Sequence, residues 1–233
     1  MTVRLKPDTT ARTRLKPDTT ARTRLEPDTT AIDIAILPPP DVSERAVALS
    51  AALPSSAALP SAESQGLRLG PQFLPHITLT QQFVSREALD AVIAQVDDVL
   101  RHHRPLSLRV TGGGKGSNSV WMAIQRTPVL VSLHERLLHA TEAFEVHNGD
   151  ATAFVNEDAR DRDVRWVREF RRESSFDRFT PHITLGHGSE PPLVEPVDFK
   201  ATTIAVCHLG RFCTCRRVIR AWELRHPRIA GRR

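Results

Sequence analysis

Cysteine is scarce in this chain: Cys207, Cys213 and Cys215 are the only three in 233 residues. An odd, clustered set in a chain of this length does not build a disulfide framework, so reduced thiols are expected. Nor does the cluster, with His208 beside it, match the paired C-x2-4-C or H-x3-5-H spacing of zinc sites. No metal or other cofactor is therefore expected. Long apolar runs are missing too. Without about 18 consecutive apolar residues no helix spans a bilayer, and the N-terminus lacks the apolar segment of a secretory signal, so a cytoplasmic protein is expected. A strong excess of one charge is also absent from most of the chain. Residues 1 to 31 hold seven basic and four acidic side chains, which accounts for +3 of the formal +5 and leaves +2 for the rest. Net charge thus says little about a nucleic-acid partner.

What is present suffices for a sizeable core: 40% of residues are apolar and 25% charged, ordinary for a globular chain. Residues 4 to 31 repeat RLKPDTTA every ten positions with a Lys-to-Glu change in the third copy. One Leu and one Ala per unit, broken by Pro7, Pro17 and Pro27, cannot bury enough surface to offset ordering. Residues 1–30 are expected to be a disordered tail, with a weak electrostatic arm for RNA as the alternative. Order is expected over 31–226, followed by a basic tail at 227–233. "AIDIAIL" predicts a buried strand ended by Pro38, Pro39 and Pro40, and Asp41 or Ser43 is placed to cap the helix after it. Leu89, Val92, Ile93, Val96, Val99 and Leu100 recur at helical spacing. Further strands are predicted at "LSLRVTG", "SVWMAIQ", "TTIAVCHLGRF" and "RRVIRAWEL", and helices at "VLVSLHERLLHATEAF" and "DVRWVREFRRE". Strands and helices interleave through both halves, so the fold class is α+β with two related lobes.

Each half carries one copy of a single phrase, "FLPHITLT" from Phe73 and "FTPHITLG" from Phe179. Side chains alternate across a strand. Phe73, Pro75, Ile77 and Leu79 therefore share one face, and His76 and Thr78 the other; Phe179, Pro181, Ile183 and Leu185 stand likewise opposite His182 and Thr184. Packing explains the apolar sets but has no need of polar His and Thr at matching outward positions. Two imidazoles supply a general base and a general acid near neutral pH, and two hydroxyls can donate to phosphoryl oxygens. That combination describes metal-independent phosphodiester chemistry.

On these residues the sequence resembles the two-histidine phosphoesterase superfamily, the 2′-5′ RNA ligase and cyclic phosphodiesterase group. Its signature is two His-x-Thr/Ser motifs, met here by His76-Ile77-Thr78 and His182-Ile183-Thr184 over about residues 31 to 226. The resemblance implies a bilobal, pseudo-symmetric fold with antiparallel sheets around a central cleft and helices outside. It implies RNA ends or small nucleotides bearing a 2′,3′-cyclic phosphate as substrates, with ligation through a 2′-5′ bond as the reverse chemistry. A module that only binds RNA phosphate is the alternative, disfavoured because binding alone would not prefer imidazole to arginine. By analogy His182 is the base and His76 the acid, Thr78 and Thr184 hold the phosphoryl oxygens, and a 2′-phosphate is left. The motifs themselves are too symmetric to assign these roles. The expected state is a monomer.

Other residues are weaker candidates. Arg211 and Arg216 are placed to contact RNA, although a surface strand also carries arginine. "TGGGKGSN" at 111–118 lacks P-loop spacing and predicts a hairpin connection, with Lys115 still able to touch substrate. The arginines from Arg160 to Arg172 are interspersed with acids and suggest a solvated helix face more than a phosphate track. His187 either supports the site or ends a strand. Trp121, Trp166, Trp222 and Phe83 suit a core before a base-stacking role.

Overall fold

The computed structural model describes residues 28–54 and 66–225. Most of the decapeptide repeat and the basic segment at 227–233 lie outside the described residues.

Among the described residues, nine strands and four α-helices follow one another: β1 (Thr29–Leu37), α1 (Pro40–Ala52), β2 (Ile77–Ser85), α2 (Leu89–Leu100), β3 (Leu106–Lys115), β4 (Ser119–Ile124), α3 (Pro128–Thr141), β5 (Glu145–Val146), α4 (Asp161–Ser174), β6 (His182–His187), β7 (Val197–Ala201), β8 (Thr203–Gly210) and β9 (Thr214–Glu223). They form two antiparallel sheets. One has the order β5-β2-β1-β8-β9 and the other β6-β4-β3-β7, so the first copy of the repeated phrase leads into one sheet and the second into the other. The α+β, two-lobed expectation holds.

The period-2 pattern of β1 sets the architecture. Ile32, Ile34 and Ile36 are fully buried in a core that also takes Val42 and Ala46 from α1, Val92 and Val96 from α2, Leu130, Leu133 and Leu137 from α3, and Ile183 and Leu185 from β6. Each such isoleucine contributes about 1.5–3 kcal/mol by leaving water. This core runs without interruption between the sheets, so the lobes are not independent domains. The opposite face of β1 is buried as well: Ala31 packs with Phe83, Phe154, Val164 and Val167, and Ala35 packs with Ala205, Cys207 and Cys215. Phe83 is therefore a core residue. Between Ala31 and Ala35 stands Asp33, an acid with no exposed surface.

Local details correct the sequence expectations. Helix α1 starts at Pro40, preceded by Pro39 with no side-chain cap. Asp41 and Ser43 lie in its first turn, and the Ser43 hydroxyl donates to the Pro38 carbonyl. The proline run suits this start, because the first helical position has no use for an N–H. Gly112 to Gly114 belong to strand β3, not to its turn, and the β3–β4 register shifts between Val110 and Gly112. The short strand β7 and the two-residue β5 add to the strands that periodicity marks out. Among the described residues no helix is long and apolar enough to cross a membrane.

Candidate active site

The two phrases meet at one cleft of ≈ 640 Å³, whose lining includes His76, Thr78, His182 and Thr184. Their local geometry is the same in both copies. His76 Nδ1 lies 2.7 Å from the Leu74 carbonyl, and His182 Nδ1 lies 2.7 Å from the Thr180 carbonyl. A carbonyl oxygen only accepts, so Nδ1 carries a proton in each ring and donates it two residues back. Nε2 is left as the nitrogen free for chemistry. The strand pleat then places Thr78 and Thr184 beside their histidines. Ile77, Leu79, Ile183 and Leu185 are fully buried on the other face, as the alternation predicts.

The surroundings of the rings differ. His182 packs against Trp121, with ring centroids 4.9 Å apart. Burial in the cleft pushes it below the ordinary imidazole value; its bond to the Thr180 carbonyl works the other way, and the charge on nearby His76 adds to the lowering. His76 is 7% exposed, and its Nε2 stands 3.6 Å from Asp33 Oδ2. That same carboxylate oxygen accepts from the Thr78 hydroxyl at 2.7 Å and from Gln81 Nε2 at 2.7 Å. Burial raises the Asp33 carboxyl above the usual carboxylate range, opposed first by the His76 charge and then by the Gln81 and Thr78 hydrogen bonds.

Gln81 extends this network. Its amide also donates to the Cys213 carbonyl at 3.1 Å, while its Oε1 accepts from Trp166 Nε1 at 3.1 Å. The half-exposed Trp166 lines the cleft, as do Arg160, Arg162 and Arg178 and the Ser117–Ser119 turn between β3 and β4. His187 lines it too and meets Phe212 edge-on. Trp121 and Trp166 thus face the cleft and not the core, whereas Trp222 donates to Asp97.

Arg211 and Arg216, the arginines expected at substrate, do not line the cleft. Arg216 folds over the Phe73 ring at 4.4 Å and lies 3.7 Å from Asp158. Arg211 sits over Phe212 at 5.3 Å, and its backbone N–H donates to Asp158. Lys115 donates to the Ser189 carbonyl. Of the arginine-rich segment, Arg160 is held by a bidentate pair with Asp163 on the floor of the cleft, so this stretch is more than a solvated face.

The three cysteines are unpaired and buried. Burial pushes the Cys213 and Cys215 thiols well up. Asp33, His76 and Cys215 bring one ligand atom each within 4.8 Å of one another. In that group Asp33 Oδ2 already accepts from the Thr78 hydroxyl and the Gln81 amide, so the hydrogen-bond network of the site accounts for the approach of these side chains.

Gly114 controls one wall of the cleft. A Cβ added there meets Trp121 Nε1 at 2.1 Å, so Gly114→Ala forces the indole off its seat against His182. Because small misplacements of catalytic groups cost up to about 100-fold, turnover is expected to fall about 10- to 100-fold. Steady-state kinetics beside a thermal unfolding curve check this, the curve confirming that the variant remains folded.

A family model described as the 2′-5′ RNA ligase superfamily matches residues 38–203, well over half of the chain. No curated protein matches in sequence. Among solved structures, LigT of E. coli complexed with 3′-AMP superposes with a TM-score of 0.53 at 20% identity, covering 85% of this chain and 99% of that one. TT0787 of Thermus thermophilus gives 0.51 at 18% identity, covering 84% and 98%. A structure described only as a phosphoesterase gives 0.52 at 20% identity, covering 84% and 99%. At these identities the likeness concerns the fold.

Proposed function

Since this chain belongs to the 2′-5′ RNA ligase superfamily, and so to a group of phosphoryl-transfer enzymes, we propose that it is a metal-independent phosphodiesterase that opens 2′,3′-cyclic phosphates on RNA ends or nucleotides. The observation that carries this reading is the pair of imidazoles in one cleft, each locked by the carbonyl two residues back so that Nε2 is available. A site that merely bound phosphate would have no use for two such identically prepared nitrogens. LigT is described as complexed with 3′-AMP, a ribose bearing phosphate on the carbon next to the 2′-hydroxyl. A cyclic phosphate spanning those two positions is a natural occupant of a related cleft.

In the reaction, His182 Nε2 removes a proton from water as the water oxygen bonds to phosphorus. The P–O3′ bond breaks in line, and His76 Nε2 gives its proton to the departing O3′. The product is a 2′-phosphate, and the histidines exchange their proton difference with solvent. Thr184 donates to a non-bridging oxygen from one side and Thr78 lies at the other. Lowering of His182 by burial suits a base that must be neutral at working pH.

The test is hydrolysis of a 2′,3′-cyclic mononucleotide with excess EDTA, the product identified by ³¹P NMR. The expected result is a 2′-monophosphate, an unchanged rate in chelator, and a bell-shaped pH profile whose acidic limb lies below about 6.5, the ordinary histidine value. A rate that climbs steadily through pH 9, or that collapses in EDTA, overturns the reading.

A further inference from the structure

The two motifs are alike in sequence and in backbone geometry, yet base and acid chemistry need them to differ. Symmetry is broken by a residue from outside both motifs. Asp33 Oδ2 is 3.6 Å from His76 Nε2, close enough for a strong Coulombic interaction and too long for a hydrogen bond that would sequester the ring's proton. It takes the Thr78 hydroxyl at 2.7 Å and is steadied by Gln81. Around His182 the neighbours are instead the Trp121 ring, the Thr180 carbonyl and His76 itself.

We propose that Asp33 is a positioning residue that makes the motifs unequal: its carboxylate holds the proton-bearing, acid role at His76, ties down Thr78, and leaves the base role to His182. This deepens, and rests on, the cyclic phosphodiesterase reading. The charged and titratable groups facing the pair are few. His182 faces it from β6, Cys215 approaches from β9, and Cys213 acts on Asp33 from the turn before β9, near the Arg160–Asp163 pair of α4. Burial keeps both thiols protonated and therefore neutral, and the Arg160–Asp163 pair offsets its own charge, so Asp33 is the carboxylate that stands beside the motif histidines. Next to burial, which raises the Asp33 carboxyl, the His76 ring is the leading influence on it and works in the opposite direction. A second consequence concerns the threonines. Thr78 spends its proton on Asp33, whereas among the described residues no hydrogen bond engages the Thr184 hydroxyl. Thr184 is then the better donor to a phosphoryl oxygen.

The experiment is Asp33→Asn, which keeps the shape and removes the charge. Two readouts are followed: the pH dependence of kcat/KM, and the ring ¹⁵N signals of His76 and His182 titrated without substrate. The expected result is that the alkaline limb of the bell moves about one pH unit lower while the acidic limb moves much less, and that the His76 ring gives up its second proton at correspondingly lower pH than in the wild type. Gln81→Met, which strips one donor from Asp33, moves the same limb in the same direction by less. This provides the test should Asp33→Asn not fold. An unchanged alkaline limb with an unchanged His76 titration overturns the proposal, as does an equal shift of both limbs. If the wild type fails to open cyclic phosphates yet the His76 ring still responds to Asp33→Asn, the substrate reading falls and the coupling stands.

Discussion

His182→Ala lowers kcat for a 2′,3′-cyclic mononucleotide by about 10²–10⁴-fold, the range contributed by a positioned general base, while leaving the unfolding midpoint within a few degrees of the wild type. The ring is only partly buried and its single hydrogen bond runs to the Thr180 carbonyl, so the fold loses little with it. His76→Ala has an equal kinetic effect and a different structural one. Asp33 remains without exposed surface and loses the ring that stands 3.6 Å from its Oδ2, so His76→Ala is expected to be the less stable of the two variants. The two substitutions combined are expected to slow catalysis little more than either alone, because base and acid act on one transition state as a unit. Steady-state rates of the single and double variants, each beside a denaturation curve, check this. Near-wild-type turnover in either single variant would show that the bond is broken by other groups.

The sequence makes the site's chemistry legible and its electrostatics much less so. The positions of His76, Thr78, His182 and Thr184 relative to the core can be read because a strand buries alternate residues, and the fully buried Ile77, Leu79, Ile183 and Leu185 leave their neighbours to face the cleft. Asp33 is hidden by the same regularity. It sits in "AIDIAIL", where a run rich in β-branched residues announces a buried strand, and one acid inside it is the only signal that a charge stands on the cleft floor. Gln81 carries no signal at all, since its partners Asp33, Cys213 and Trp166 come from three distant segments. The arginines mislead for a related reason. Arg216 spends its guanidinium on Phe73 and Asp158, while Arg162 reaches the cleft on α4, which packs against β2, and Arg160 and Arg178 reach it from the segments on either side of that helix. Long-range sheet order decides such matters, and periodicity does not encode it.

His134→Ala is expected to destabilise the protein by about 3–5 kcal/mol, although the residue touches neither cleft nor substrate. It is fully buried on α3, with Nδ1 2.5 Å from the Leu79 carbonyl and Nε2 accepting the Phe176 backbone N–H at 3.0 Å. Leu79 follows the first His-Thr pair and Phe176 precedes the second, so one imidazole braces both approaches to the site. Its ring also stacks on Phe179 at 3.9 Å. Removing it strands a buried carbonyl and a partly buried N–H at about 1–3 kcal/mol each, and forfeits a ring contact worth about 0.5–1.5 kcal/mol. The acceptor role requires a neutral ring, and burial indeed pushes His134 below the ordinary histidine value, with the Leu79 bond opposing. The unfolded chain therefore binds this proton more readily than the folded one. The His134 contribution is complete above about pH 6.5, the unfolded value, and is lost as pH falls through the lower folded value. Urea midpoints measured from pH 7.5 down to pH 5 should fall less steeply in His134→Gln than in the wild type. Parallel slopes would mean that this imidazole is not neutral in the fold, and the brace between the two motifs would have to be sought elsewhere.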